Sequence, residues 1–404
     1  MSFKILHTAD WHLGKLLNGQ SLEDDQSNFI EQIFTELKQA EENLSPYDAV
    51  VIAGDIYDTV NPGEKSMRLM DKFYYDLHKN FPRVHLFVLK GNHDSLRIGY
   101  NKSFLDLHNI HLCSDAEKFL EPFEIKKGNE VLCVYQLPYL NQLNVSQICE
   151  DNSDGKLHSQ KELVGSACEQ ILKSHEKNHK NCFSLLCAHL TTFGSIKSAY
   201  DEHAVGAIDD VDSSVFEKFN YTALGHIHKF QKCGSKGCVY YSGSPFPYYF
   251  DSSNDTFMIC AEISERGTVI SKIPFKQLHK VERLEMNLCD ILNADEKFIS
   301  EHKDNYIEII FDDEYFPVDA VSKIRELLPL SLSFRRKERV RDTEKIQKTA
   351  ELRESAFDSP EKYFDSFFED VCGGEIVDKE LHEESRRLFI EIAGRIEKEM
   401  EEEE

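Results

Sequence analysis

The chain has 404 residues, enough for two or three domains of ordinary size. Its 41% hydrophobic and 29% charged content is that of an ordinary folded protein, and no apolar run is long enough to span a bilayer, which argues against a membrane-embedded function. A formal net charge of -25 argues against general attraction to nucleic acid, yet it leaves a phosphodiester substrate open if bound cations or a partner offset it.

The opening residues, Met1-Ser2-Phe3-Lys4-Ile5-Leu6, enter a strand at once and carry no signal-peptide pattern. The 11 cysteines are scattered through apolar stretches and read as reduced thiols, so a cytoplasmic location is expected. Cys182/Cys187 and Cys233/Cys238 lack the two-residue gap and second pair of a zinc ribbon, and Gly234-Ser235-Lys236-Gly237 reads instead as a hairpin turn.

Over residues 1–275, short apolar strands alternate with amphipathic stretches. Asp25 to Ala40 is one predicted helix, with Phe29, Ile33, Phe34 and Leu37 at helical spacing, and Glu64 to Leu77 is another, with Met67, Leu69, Met70, Phe73 and Leu77. The gaps of 45 residues from Asp10 to Asp55 and 37 from Asp55 to Asn92 suit a strand, a crossover helix and their loops. A helix is expected over Gln160 to His175. Val131 to Leu137, Val239 to Tyr241, Thr256 to Ile263 and Thr268 to Pro274 predict further strands. The fold class expected is α/β, a two-sheet sandwich flanked by helices, with a small α/β capping domain and a C-terminal helical region.

That capping domain is expected over residues 276–340, with strands Leu278 to Met286, Tyr306 to Phe311 and Leu330 to Arg335, and helices Asp290 to Glu301 and Val318 to Leu328. Residues 341–404 read as helices alone: Thr343 to Ser355, a second opened by Ser359-Pro360-Glu361 and closed by Gly373-Gly374, and Lys379 to Met400. Phe364, Phe367, Phe368 and Val371 make an aromatic face there, to be covered by a partner or by the rest of the chain.

Five apolar runs end in potential metal ligands. Phe3 to Leu6 leads to Asp10-Trp11-His12, Ala49 to Ala53 to Gly54-Asp55-Ile56-Tyr57-Asp58, and Val84 to Leu89 to Gly91-Asn92-His93-Asp94. Phe183 to Cys187 leads to Ala188-His189, and Tyr221 to Leu224 to Gly225-His226-Ile227-His228. The carboxyl ends of strands are where α/β sheets bind ligands, and carboxylates, an amide and imidazoles suit a pair of divalent ions. A shared carboxylate holds such a pair together, and Asp55, between the expected first and third strands, is the natural bridge. Asp10, His12, Asp55 and one histidine of the Gly-His-Ile-His pair would hold one ion; Asp55, Asn92, His189 and the other histidine would hold the second.

His93 is then free to face a substrate, stabilising charge on the attacked phosphate or protonating the leaving oxygen, with Asp94 holding its ring. Water activated by the ions is the expected nucleophile. Asp58 is expected to support a ligand by hydrogen bonding. The remaining histidines, among them His7, His85, His111, His175 and His179, read as surface or packing residues.

The ordered set Asp10-x-His12, Gly54-Asp55-x-x-Asp58, Gly91-Asn92-His93-Asp94, His189 and Gly225-His226-x-His228 resembles the calcineurin-like metallophosphoesterases. His7-Thr8-Ala9-Asp10-Trp11-His12-Leu13-Gly14-Lys15 and Tyr241-Ser242-Gly243-Ser244-Pro245 are similar to the bacterial nuclease subunits of that superfamily, and Ser359-Pro360-Glu361 to their partner-binding end. The resemblance implies two Mn2+ ions and cleavage of DNA, as a 3′-to-5′ exonuclease on duplex ends and an endonuclease on single strands and hairpins, in repair, recombination and replication. It implies an SbcC-type ATPase partner, two copies of each subunit, a homodimer through the nuclease domain, and no membrane. Archaeal and eukaryotic members of the superfamily carry a histidine where this chain has Asp58, so no substrate-handling role follows for that position. A phosphatase or small-molecule phosphodiesterase with the same metal centre is the alternative enzyme, and a scaffold that has lost catalysis is the alternative non-enzyme. Arg335-Arg336-Lys337 and Arg339 to Arg341 are local basic stretches that could help hold DNA but read first as a solvated helix end, and weak DNA binding by the isolated chain is expected.

Overall fold

The computed structural model describes residues 2–141, 144–148, 159–193, 195, 210–312, 319–337, 364–365, 382–390 and 392. Two compact units divide the chain, residues 1–336 and 337–404. The first begins with β1 (Ser2–Thr8), the ribbon β2 (Leu16–Leu17) and β3 (Gln20–Ser21), α1 (Glu23–Glu42), β4 (Ala49–Ile52), α2 (Glu64–Asn80), β5 (His85–Leu89), α3 (Lys102–Asp106) and β6 (Ile110–Cys113). It continues with β7 (Phe123–Lys127), β8 (Glu130–Leu137), α4 (Val145–Ile148), α5 (Gln160–Asn178), β9 (Phe183–His189), β10 (Tyr221–Gly225), β11 (Gln231–Cys233), β12 (Val239–Tyr241), β13 (Phe257–Ser264) and β14 (Gly267–Pro274).

Two six-stranded sheets result, ordered β14-β13-β1-β4-β5-β6 and β11-β12-β10-β9-β8-β7. In each, the central strands run parallel: β1, β4, β5 and β6 in the first, β8, β9, β10 and β12 in the second. Strand alternation decides the layers. Phe3, Ile5, Val51, Phe87 and Leu89 from one sheet meet Leu132, Val134, Leu185, Cys187 and Ala223 from the other, in a buried core between the sheets. The intervening residues face outward: Leu6, Val50 and Ile52 under α1 and α2, and Cys133, Tyr135 and Leu186 under α5. A strand buried on both faces must be apolar throughout, which is why Ala49 to Ala53 shows no polar alternation.

The helices follow their sequence signals with small differences. α1 carries Glu23, Asp24 and Asp25 in its first turn, where the backbone N–H ends favour negative charge, and buries Phe29, Ile30, Ile33 and Leu37. Ser159 and Glu162 cap α5 reciprocally. Met67 was expected on the buried face of α2 but is 54% exposed, because that face runs through Ser66, Met70, Phe73 and Leu77.

The small sheet comprises β15 (Val281–Met286), β16 (Tyr306–Phe311) and β17 (Ser331–Arg336), all parallel, with α6 (Leu288–Leu292), α7 (Glu296–His302) and α8 (Ala320–Leu327). Its core is Ile291, Ile307, Ile309, Phe311, Ile324 and Leu328. One helix was expected from Asp290 to Glu301, and two are present. Asp295 accepts the N–H of Phe298 at 2.8 Å and so starts a new helix after Asn293 and Ala294. The small sheet is fastened to the large one: Asn254 exchanges hydrogen bonds with the backbone of Val281 at 2.8 and 2.9 Å, and Asp25 accepts from Tyr306 Oη at 2.9 Å. In the second unit, Arg386 pairs with Asp365 at 2.7 Å and the buried Phe364 lies 5.6 Å from Phe389; the predicted helix Thr343 to Ser355 and the other residues of the aromatic face lie outside the described residues. Among the described residues no helix is long and apolar enough to cross a membrane.

Candidate metal centre

β1, β4, β5, β9 and β10 end side by side across the two sheets, and their last residues release the chain into turns that carry the polar motifs. Hydrogen bonds lock these turns together. Asp10 N–H donates to Gly54 O and His12 N–H to Asp55 O, both at 3.0 Å. Asp10, His12, Asp55 and His226 adopt positive φ, at 56°, 42°, 51° and 104°, a region that side chains other than glycine seldom occupy. Glycine is required nearby: a Cβ on Gly91 would lie 2.1 Å from Asp55 Oδ1, and one on Gly225 would meet the Ala53 carbonyl.

Every expected ligand arrives at this floor. Asp10, His12 and His228 bring donor atoms within 4.8 Å of one another; so do Asp55, His189 and His226, and so do His12, Asp55 and His93. Asn92 joins the second group, its Oδ1 3.0 Å from His189 Nε2 and 2.9 Å from His226 Nδ1. The histidine pair is thus divided, His228 towards Asp10 and His12, and His226 towards Asn92 and His189. Asp55 Oδ2 lies 3.8 Å from His12 Nε2 and 3.3 Å from His189 Nε2, between the two groups.

The donor set suits a bound cation. His189 Nδ1 lies 2.8 Å from the Ala53 carbonyl and must donate to it, so its Nε2 presents either a lone pair or an added proton to Asn92 Oδ1 and Asp55 Oδ2. His12 Nε2 and His228 Nε2 face each other at 3.0 Å. A proton can resolve each conflict singly, whereas a cation between the donors resolves them together. Burial acts against charge on His189, yet Asp55 beside it pushes its pKa up to about 9. Burial would raise Asp55, but His189 and His12 hold it well below the usual carboxylate range. Burial, with His189 nearby, lowers His226 to about 3, and burial with His12 lowers His228. Neutral imidazoles are the form that binds metal.

Asp58 lies beside an expected ligand: its Oδ1 is 3.4 Å from His12 Nδ1 and accepts from Lys15 Nζ at 3.0 Å. Burial raises it, but His12 and Lys15 bring it down to about 2. His93 stands beside His12, ring centroids 4.8 Å apart, with its N–H donating to Asp55 Oδ1 at 2.9 Å. Its ring is held by the Asp58 carbonyl, 2.9 Å from Nδ1, rather than by Asp94 as expected. Asp94 instead accepts the N–H groups of Ile56, Tyr57 and Gly91 at 3.1, 3.0 and 3.0 Å, tying the turn after β4 to the turn after β5. The carboxylate faces these backbone groups rather than the His93 ring, and burial together with Asp55 raises it to about 6.

Two flanking residues escaped sequence reasoning. Tyr139 lies 6.2 Å from both the His189 and His226 rings, and Tyr248 lies 5.6 Å from His12 while its hydroxyl donates to the Trp11 carbonyl. Tyr139 follows the end of β8, so its strand-end position was a usable signal. Of the histidines read as bystanders, His7 is wholly buried between the sheets, bonded to Tyr221 Oη at 2.8 Å. The Cys233/Cys238 segment is the expected hairpin, with β11 and β12 antiparallel and Cys233 opposite Val239.

A two-sheet sandwich with carboxylates, an amide and imidazoles converging at its strand ends defines a metal-dependent phosphoesterase. The chain belongs to the calcineurin-like phosphoesterase family, whose model matches residues 3–230, and the family implies divalent metal ions at these donors. A second family model, described as the type 5 capsule protein repressor C-terminal domain, matches residues 275–371. Among curated proteins, the SbcD subunit of the nuclease SbcCD from Staphylococcus saprophyticus is 29% identical over 335 residues, covering 82% of this chain and 84% of its own. A solved Staphylococcus aureus structure described as a 5′-nucleotidase in complex with alpha-ketoglutarate shares 13% identity over 81% of this chain, with a TM-score of 0.37; this chain spans 58% of its length. That likeness is too loose to carry an argument.

Proposed function

We propose that the chain is the nuclease subunit of an SbcCD-type complex, hydrolysing DNA phosphodiesters with two Mn2+ ions. The observation that carries the metal chemistry is the pair of donor groups flanking Asp55: Asp10, His12 and His228 on one side, Asn92, His189 and His226 on the other. Asp55 would bridge them. When bound, the ions supply Lewis-acid polarisation of water and phosphate.

The chain's own contribution is positional. Asp58 orients His12, and the Ala53 carbonyl fixes His189 with Nδ1 protonated, so that Nε2 faces the ions. His93 donates Nδ1–H to the Asp58 carbonyl, which leaves Nε2 to move the catalytic proton. As water adds to phosphorus, giving up a proton to solvent, and the P–O bond to the leaving sugar oxygen breaks, an imidazolium at this position would pass its Nε2 proton to the departing oxygen.

DNA as substrate, with duplex 3′-to-5′ exonuclease and single-strand or hairpin endonuclease activity, rests on the similarity to the staphylococcal SbcD and on the segment after residue 275. An SbcC-type ATPase would supply the positive footprint that a chain of net charge -25 lacks, in a complex with two copies of each subunit and a nuclease-domain homodimer. Residues 276–340 would cap the substrate and residues 341–404 would meet the ATPase.

The test offers hairpin DNA, linear duplex and a chromogenic phosphodiester to the full chain with Mn2+, with and without the ATPase subunit. Hairpin and duplex cleavage that grows with the ATPase supports the reading. Strong ester or nucleotide hydrolysis with DNA untouched in the complex would establish the small-molecule phosphodiesterase instead, and no activity on anything would establish a scaffold.

A further inference from the structure

On the outer face of the second sheet, away from the strand ends, Cys133, His179 and Cys182 bring their two sulfurs and an imidazole nitrogen within 4.8 Å of one another. Three separate elements deliver them. Cys133 is fully buried in β8; Cys182 immediately precedes β9, which runs parallel to β8 with Cys133 opposite Ser184. His179 ends α5, and its carbonyl accepts the N–H of Cys182 at 2.8 Å, closing the turn His179-Lys180-Asn181-Cys182. Such a turn sets donors three residues apart on one side, as the paired ligands of zinc knuckles are set.

A fourth donor stands beside them. Glu124 on β7 pairs in register with Cys133, so both side chains leave the same face, and Glu124 Oε1 lies 3.4 Å from His179 Nδ1. His175 braces the turn, with Nε2 3.2 Å from the Cys182 carbonyl and Nδ1 3.0 Å from Tyr135 Oη.

We propose that Cys133, His179 and Cys182, completed by Glu124, form a tetrahedral Zn2+ site separate from the catalytic ions, stapling β7, β8 and the α5–β9 turn. Two thiolates and an imidazole favour zinc over the harder ions suited to the carboxylate-rich strand ends. Zinc-to-sulfur bonds of about 2.3 Å place ligands roughly 3.5 to 4 Å apart, so the donors need to close by only about 1 Å. Burial and the neighbouring Cys182 push the Cys133 thiol up to about 12, so its ligation must release that thiol proton to solvent as Zn2+ takes its place. Plain packing of reduced thiols explains Cys133 alone; it does not explain a histidine and a second thiol converging on it with a carboxylate beside the histidine.

Cobalt separates this site from the catalytic one, which contains no sulfur ligand. Reduced full-length protein held in excess Mn2+ to fill the strand-end site and titrated with Co2+ should develop a sulfur-to-cobalt charge-transfer band saturating at one equivalent and bleached by one equivalent of Zn2+. Cys182→Ser and Cys133→Ser should abolish the band, Cys113→Ser should retain it, and Cys182→Ser should keep its Mn2+-dependent ester hydrolysis. Zinc-edge X-ray absorption of wild-type protein in the same excess of Mn2+ and loaded with one equivalent of Zn2+ should show two sulfur ligands, which keeps the test independent of whether variants fold. A shell of oxygen and nitrogen only, or a cobalt band unaffected by both cysteine substitutions, would overturn the site.

Discussion

Asp94→Asn tests whether this carboxylate performs chemistry or holds the loops that do. In the structure Oδ2 accepts from Ile56 and Gly91 and Oδ1 from Tyr57. An amide oxygen in the Oδ2 position keeps two of these bonds and points its NH2 at the Tyr57 N–H, donor against donor. One charge-assisted bond is lost and a buried donor is stranded, at a cost of about 2 to 4 kcal/mol. Removing a charge that Asp55 and burial already disfavour returns part of that cost, so the fall in global stability should be modest. The larger effect is on geometry, because the released turns carry Asp55 and Asn92. Metal affinity and turnover should each fall about 10- to 100-fold, the range expected when a group supporting metal ligands is removed. Calorimetric titration with Mn2+, beside pH–rate profiles on a phosphodiester at saturating metal, reads this directly. Wild-type Mn2+ affinity combined with loss of one limb of the pH profile would refute the positioning role and return Asp94 to the proton-transfer step.

Three further outcomes follow from the same geometry. His93→Ala should lower kcat by about 10²- to 10⁴-fold while leaving Mn2+ affinity near wild type, because its Nδ1 is committed to the Asp58 carbonyl; calorimetry with steady-state kinetics separates this from a ligand role beside His12 and Asp55, which would cost metal affinity as well. Gly91→Ala should strip bound metal, measured by elemental analysis after gel filtration, since the new Cβ would fall 2.1 Å from Asp55 Oδ1 and 2.4 Å from Asp55 N and force the bridging carboxylate aside. His7 is buried, and desolvation lowers its pKa from 6.5 to about 3. The unfolded chain therefore takes up a proton below pH 6.5 that the folded chain refuses, so His7 removes stability progressively as pH falls from 6.5 towards 3, by about 2 kcal/mol at pH 5. Urea titrations of wild type and His7→Gln should differ in slope against pH across that window; parallel slopes would mean that His7 is protonated in the fold.

What the sequence disclosed and what it concealed divide along a physical line. The convergence of Asp10, His12, Asp55, Asn92, His189, His226 and His228 was legible because each of the five motifs follows an apolar strand, and the order of strand ends is a local pattern repeated. The roles of His93 and Asp94 were half legible. Their neighbourhood is local, but their partners are the Asp58 carbonyl and three backbone N–H groups, which carry no residue-type signal. The division of His226 from His228 depended on the positive φ of His226, a backbone property that the sequence does not advertise in a residue other than glycine. Cys133 and Cys182 were invisible as a pair because only the parallel register of β8 and β9 brings them together.

The left-handed residues give the strand-end site its internal logic. A regular strand would keep Asp10 and His12 on one face but set them about 6.6 Å apart along the chain. The left-handed turns at Asp10 and again at His12 bring the two donors to the same floor, and Gly54 and Asp55, at φ of 91° and 51°, turn the chain likewise after β4. Each such residue costs of order 1 kcal/mol or more, and the surrounding bonds must hold it. Asp10 N–H to Gly54 O and His12 N–H to Asp55 O make the two strained turns hold one another, and the Asp94 carboxylate carries the restraint on to Gly91. Three of the five turns that carry the candidate ligands are therefore braced against one another. Loosening any one of them should be felt first in metal affinity and only afterwards in the stability of the sandwich beneath.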